Sequence, residues 1–129
     1  MVGRGVIFEN HLITLHDFSR TVPWKEAVRY CQSVKIEDHA CSAGKIGFWK
    51  KVMNIRDEQK KMLDDLLVSL GGMALVGKWF WASSEYSNYH AWVFCTGTGA
   101  RRCGVSYRDK NLYLFKYIAC PVLDLSELS

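Results

Sequence analysis

The chain has 129 residues, of which 49% are apolar, 23% charged and 13% aromatic. That length suits a single domain spanning 1–129, and the apolar and aromatic content excludes a disordered or collagen-like chain. No apolar run approaches a membrane span and no apolar h-region follows Met1, so neither membrane insertion nor an export signal is expected of this chain.

The net charge is +4. Residues 86–120 hold Arg101, Arg102, Arg108, Lys110 and Lys116 against Asp109 alone, while the rest of the chain balances 12 basic with 12 acidic side chains. A basic patch points to an anionic partner. This one lacks the density of a nucleic-acid stripe, so no nucleic-acid partner is expected.

Taken in chain order, Gly5–Phe8 and Leu12–Leu15 flank Glu9-Asn10-His11 and predict a β-hairpin. A helix follows, with Thr21 as its cap and Pro23 in its first turn. Trp24, Ala27, Val28 and Cys31 recur at helical spacing and predict one buried stripe, with Lys25, Glu26 and Arg29 facing water. Residues 35–48 contain Gly44 and Gly47 and read as a loop. Asn54 predicts the cap of a second helix, with Asp57 three residues on. Met62, Leu63, Leu66, Leu67 and Leu70 form its expected apolar face, and Gly71-Gly72 ends it.

Lys78–Ala82 and Ala91–Phe94 read as strands, and 111–121 reads as a central strand with large residues on both faces. No helix connects these later strands. The order predicts an α+β fold, two helices plus a mainly antiparallel sheet with long irregular loops.

The five cysteines, Cys31, Cys41, Cys95, Cys103 and Cys120, include no C-x-x-C and no His pairing at zinc spacing. No metal site or cofactor is expected. The plain expectation is buried or free thiols; a Cys95–Cys103 staple is the alternative in an oxidising setting. Trp79, Trp81 and Trp92 are expected in the core. Ser83, Ser84 and Glu85 are expected to receive backbone amides in a tight turn, with Glu85 a structural acceptor.

Trp81-Ala-Ser-Ser-Glu85, Ala91-Trp92, Gly97 or Gly99, Lys110, and the closing Lys116–Val122 together resemble a known pattern. They are similar to bacterial C-type-lectin-like domains related to the formylglycine-generating-enzyme fold. Within these they most resemble the variable proteins of diversity-generating retroelements. The resemblance covers about residues 45–122 and departs at Met53, Ala82, Lys116 and Ala119. It implies a C-type lectin-like fold and a diversified segment, 86–119. It also implies a protein ligand of unstated identity, bound without catalysis.

In such systems template adenines are randomised, mostly in codons that end in C. Such codons never encode Glu, Gln, Lys, Met or Trp. Residues 1–85 contain 23 residues of those five types, and at that rate about four or five would fall in 93–109. None does, and 86–119 holds only Trp92, Lys110 and Lys116. The residues present are those that binding surfaces favour: Tyr gives contact area for two torsions, Arg anchors, and Ser, Thr and Asn adapt their hydrogen bonds. The candidate ligand-binding set is therefore Tyr86, Asn88, Tyr89, His90, Cys95, Thr96, Thr98, Arg101, Arg102, Cys103, Ser106, Tyr107, Arg108, Asn111 and Tyr113, with Ser87 in the same run.

Two other functions are weighed against this one. A calcium-dependent sugar lectin needs clustered Asp, Glu and Asn oxygens, and the Glu-Pro-Asn and Trp-Asn-Asp runs of such sites are absent. An enzyme of the formylglycine-generating type needs a redox-active cysteine pair, which Cys95, Cys103 and Cys120 do not reproduce, and a shared fold is weak evidence of activity. His11, His16, His39 and His90 show no nucleophile–base spacing, and Gly97-Thr-Gly99 is no phosphate loop.

Overall fold

The computed structural model describes residues 5–15, 20–98, 104–110 and 116–128. Strands β1 (Gly5–Phe8) and β2 (His11–Thr14) form the expected hairpin, with Phe8 opposite His11. Its turn residues Glu9 and Asn10 sit at φ 49° and 59°, the left-handed pair that a two-residue hairpin turn needs. After β3 (Thr21–Val22) comes α1 (Trp24–Ser33). A small hairpin follows, β4 (Lys35–Ile36) and β5 (His39–Ala40), then α2 (Ile46–Met53) and α3 (Asp57–Ser69). The remaining strands are β6 (Trp79–Glu85), β7 (His90–Cys95), β8 (Val105–Asp109), β9 (Tyr117–Ile118) and β10 (Val122–Asp124). A 3₁₀ turn, Leu125–Leu128, follows β10.

The chain is α+β. A five-stranded sheet runs in the order β3-β9-β6-β7-β8, and a three-stranded sheet in the order β1-β2-β10. Pairing is antiparallel except for β6 with β9, where Phe80 meets Ile118 in parallel. Of the strand expected at 111–121, residues 111–115 lie outside the described residues; in the rest only Tyr117–Ile118 is strand, and it lies in the sheet interior as β9.

Alternation along the strands sorts the core into two faces. Phe80, Ala82, Phe94 and Ile118 face α2 and α3, packing on Phe48, Trp49, Val52, Leu63 and Leu67. Trp81, Ala91, Val93 and Ala119 face the other way, against Ala27 and Cys31 of α1. Of the expected tryptophans, Trp81 is fully buried, whereas Trp79 and Trp92 are half-buried at the margins.

Three α-helices lie among the described residues, one more than the sequence predicts. Residues 46–53 are helical despite Gly47, because Phe48, Trp49 and Val52 all bury against the sheet. Burial of that size outweighs the roughly 0.5–1 kcal/mol that a helical glycine costs. Asn54 closes α2 and does not open α3: its N–H donates to the carbonyls of Lys50 at 3.1 Å and Lys51 at 3.3 Å. Arg56 takes the N-cap position of α3, its N–H donating to Gln59 Oε1 at 3.2 Å. Thr21 does not cap α1, because it pairs with Ile118 in β3 and Pro23 holds the N-cap position.

The apolar face of α3 also differs from expectation. Lys60, Leu63 and Leu67 are buried, whereas Met62 is 70% exposed and Leu66 and Leu70 about half. A narrow stripe at i, i+3, i+7 meets β1 and the sheet, and the flanking apolar residues stay outside. Lys60 buries its stem and delivers its ammonium to the Gly97 carbonyl at 2.7 Å. Gly71-Gly72 ends the helix as predicted. Gly72 N–H donates to Leu67 at 2.8 Å and Gly71 N–H to Val68 at 3.0 Å, with Gly71 at φ +99°, a Schellman motif. No helix among the described residues is long and apolar enough to cross a membrane.

Candidate functional site: an aromatic surface on β6, β7 and β8

Ser84 does not act within its own turn. Its Oγ accepts the N–H of Ile46 at 2.9 Å and so caps α2 from 38 residues away. Beside it, Ser83 N–H donates to the Gly44 carbonyl at 2.7 Å. These bonds fix the end of β6, and the turn Tyr86–Tyr89 grows from it. The N–H groups of Tyr86 and Ser87 both donate to the His90 carbonyl, at 2.9 and 3.1 Å. Ser87 Oγ accepts from Tyr89 N–H at 3.2 Å and from His90 N–H at 3.1 Å. With both lone pairs used, its hydroxyl proton goes to His90 Nδ1, 2.9 Å away, which assigns the ring proton to Nε2.

On the face of β7 that carries His90 and Trp92, the rings form one group. Tyr107 lies opposite Trp92 in the β7–β8 ladder. Tyr86 stacks on Tyr107 with centroids 3.8 Å apart and planes 4° apart. Trp92 stands edge-on to both tyrosines, at 5.0 and 6.2 Å, and His90 stands edge-on to Tyr107 at 5.5 Å. Lys50 of α2 places its ammonium 5.7 Å from the Trp92 ring. Tyr86 and Tyr107 remain 48% and 43% exposed, and Tyr89, at the turn, 65%. A hydrogen bond with the Tyr107 phenol holds the Tyr86 hydroxyl above the ordinary tyrosine value. The group is a half-exposed apolar surface with polar edges, suited to contact area and hydrogen bonding.

The other predicted residues divide. Asn88 lies on the turn with Tyr89 and contributes its carbonyl, which accepts from Lys110 Nζ. Ser106 and Arg108 point to the opposite face of β8. There Arg108 donates to Ser106 Oγ, to the Tyr107 carbonyl at 2.8 Å and to the Tyr117 hydroxyl at 3.2 Å. Thr98 lines a separate groove of about 720 Å³ beside α3, with Asp57, Asp64 and Val76. Cys95 and Thr96 are each only 1% exposed, so their side chains offer nothing to a ligand. Cys95 ends β7 opposite Trp79 of β6 and is disulfide-bonded, and Thr96 follows it. Cys31, Cys41 and Cys120 are free and buried, as the plain expectation had it. Arg101, Arg102, Cys103, Asn111 and Tyr113 lie outside the described residues.

Sequence reasoning missed Trp24, Glu85 and Lys110 as a unit. Lys110 Nζ lies 2.6 Å from Glu85 Oε2 and 4.8 Å from the Trp24 ring centroid. Glu85 is the structural acceptor expected of it, though its donor is a side chain and not a backbone amide. Nothing in the local pattern links residues this far apart. Lys50 falls between the loop expected at 35–48 and the cap expected at Asn54, so the local pattern does not single it out either. Among the described residues no group of three or more His, Cys, Asp or Glu could hold a metal ion. No family model, curated protein or solved structure matches this chain.

Proposed function

We propose that the chain is a ligand-binding display protein, a C-type-lectin-like scaffold that presents residues 86–119 as a diversified surface to a protein partner and binds without catalysis. One observation carries the reading. The stretch that lacks Glu, Gln, Lys and Met apart from Lys110 and Lys116 supplies Tyr86, His90 and Tyr107, which gather on one half-exposed face with Trp92. Rigid aromatic side chains with exposed hydroxyls are the groups that give a paratope its contact area at low entropic cost. They sit on paired strands and a bonded turn, which keeps the surface in place before a partner arrives.

Sequencing the DNA around the gene tests the diversification. The expected result is a near-copy of codons 86–119, differing at adenines, beside a reverse-transcriptase gene. An intact flanking region with neither feature overturns the diversified reading.

A further inference from the structure

Lys110 is an anomaly by burial: its side chain is 6% exposed while that of its partner Glu85 is 56% exposed. A lysine is seldom sequestered unless its ammonium is fully matched. Here it is. Nζ lies 2.6 Å from Glu85 Oε2, donates to the Asn88 carbonyl at 3.2 Å, and stands 4.8 Å from the centroid of the Trp24 ring. Trp24 is itself tied down, since its indole N–H donates to the Ala82 carbonyl at 3.0 Å. The backbone N–H of Lys110 adds a second grip on the turn, donating to the Tyr89 carbonyl at 2.9 Å.

One residue at the end of β8 thus joins α1, the end of β6 and the turn 86–89. The two carbonyls it holds, of Asn88 and Tyr89, belong to the tip of that turn. We propose that Lys110 is the positioning residue of the aromatic surface: its ammonium, seated between Glu85 and Trp24, fixes the turn that carries Tyr86 and Tyr89. The inference rests on the binding reading only for what the turn is held still to do; the clamp itself is a property of the folded chain.

The charge balance supports this assignment over a general stabilising role. A surface ion pair contributes little, but here the cation is buried and the carboxylate is the end of the strand that feeds the turn. Removing the ammonium leaves the Asn88 carbonyl without that donor and lets the turn pivot away from Tyr107.

The test uses the whole chain and no ligand. Amide exchange and the hydroxyl titration of ¹³Cζ-labelled tyrosines are followed by NMR in Lys110→Met, which keeps the apolar stem, in Lys110→Arg and in Glu85→Gln. In Lys110→Met the amides of Tyr86, Ser87, Tyr89 and His90 should exchange about tenfold faster or more, relative to those of β2 and α2. The Tyr86 titration should fall toward the ordinary tyrosine value as its bond to Tyr107 is lost. Lys110→Arg should restore most of both readouts. Glu85→Gln, altered on the exposed side, should speed the same four amides to a smaller degree and remains informative if Lys110→Met does not fold. Exchange that rises evenly across the whole chain, or does not change at the turn in either variant, overturns the proposal. Because no partner is needed, that failure is distinct from a failure of the binding reading.

Discussion

Replacing Gly44 by alanine tests how α2 is docked beneath the aromatic surface. Gly44 sits at φ +80°, and a Cβ built there would lie 2.9 Å from Cε2 of Trp49 and closer still to its Nε1. Trp49 has no room to yield. It is fully buried, its indole N–H donates to the Ala43 carbonyl at 2.8 Å, and its ring stacks on Phe94 at 4.4 Å. The left-handed backbone costs about 1–2 kcal/mol for a residue with a Cβ. Overpacking against an immobile ring costs about 1–3 kcal/mol more. The sum, roughly 2–5 kcal/mol, lowers the melting temperature of a domain this size by at least about 6 °C. Gly47→Ala is the matched control, because its Cβ would meet nothing within 4 Å in the first turn of α2. It should stabilise by about 0.5–1 kcal/mol. Thermal unfolding followed by circular dichroism, with tryptophan fluorescence as a second probe, measures both. Two variants that melt within about 0.5 kcal/mol of each other would refute the reasoning.

Other consequences are equally direct. Ser84→Ala removes the cap of α2 and should cost about 1 kcal/mol, with exchange of the Ile46 amide rising first. For a partner isolated by display, Tyr86→Ala and Tyr107→Ala should each weaken binding, with a coupling of about 0.5–1.5 kcal/mol between them from the lost stack. Because that stack lies within the chain, each variant should also lower the melting temperature, by roughly 2–7 °C. The thiols give a stability-versus-pH signature. Burial pushes Cys31 up to about 12 and Cys41 up to about 11 from 9.0. The unfolded chain therefore releases these protons first, and stability falls as pH rises from about 9 towards 11. Each buried thiol adds about 1.4 kcal/mol per pH unit to that slope. Unfolding measured between pH 8 and 10.5 should be steeper in the native chain than in Cys31→Ala, and equal slopes would count against it. A thiol reagent should leave Cys31, Cys41 and Cys120 unmodified in the folded chain at pH 8 and reach all three after denaturation.

Much of the fold is legible from neighbours in sequence. The first hairpin follows from β-branched runs around Asn10, and the end of α3 from Gly71-Gly72. The parts that are not legible depend on distant residues. Helix α2 hides because its start is satisfied by Ser84 and its glycine is tolerated for the sake of Trp49. The wrong face of α3 has a similar origin. Met62, Leu66 and Leu70 keep helical spacing as well as Leu63 and Leu67 do, and only the position of β1 decides which stripe is covered. Lys60 belongs to the covered stripe because Gly97 offers its carbonyl, which no local pattern foretells.

The candidate site divides along the same line. Tyrosines 86 and 107 are legible as binding types, but their stacking requires the β7–β8 register that sets Tyr107 opposite Trp92. Composition alone also misplaces Cys95 and Thr96, whose side chains are buried at the end of interior strand β7 whatever their chemistry. The basic excess of residues 86–120 shows the difference between a charge counted and a charge displayed. Lys110 is neutralised inside the domain by Glu85, and Arg108 spends its donors on Ser106, Tyr107 and Tyr117. Both cations are thereby tied to the protein's own groups on β8 and at its end. Under the proposed reading, Lys110 must then recur in sister sequences with its partner Glu85 on the fixed side of the surface. Tyr86 and Tyr107 are free to change there, because both stay about half exposed on the outer face.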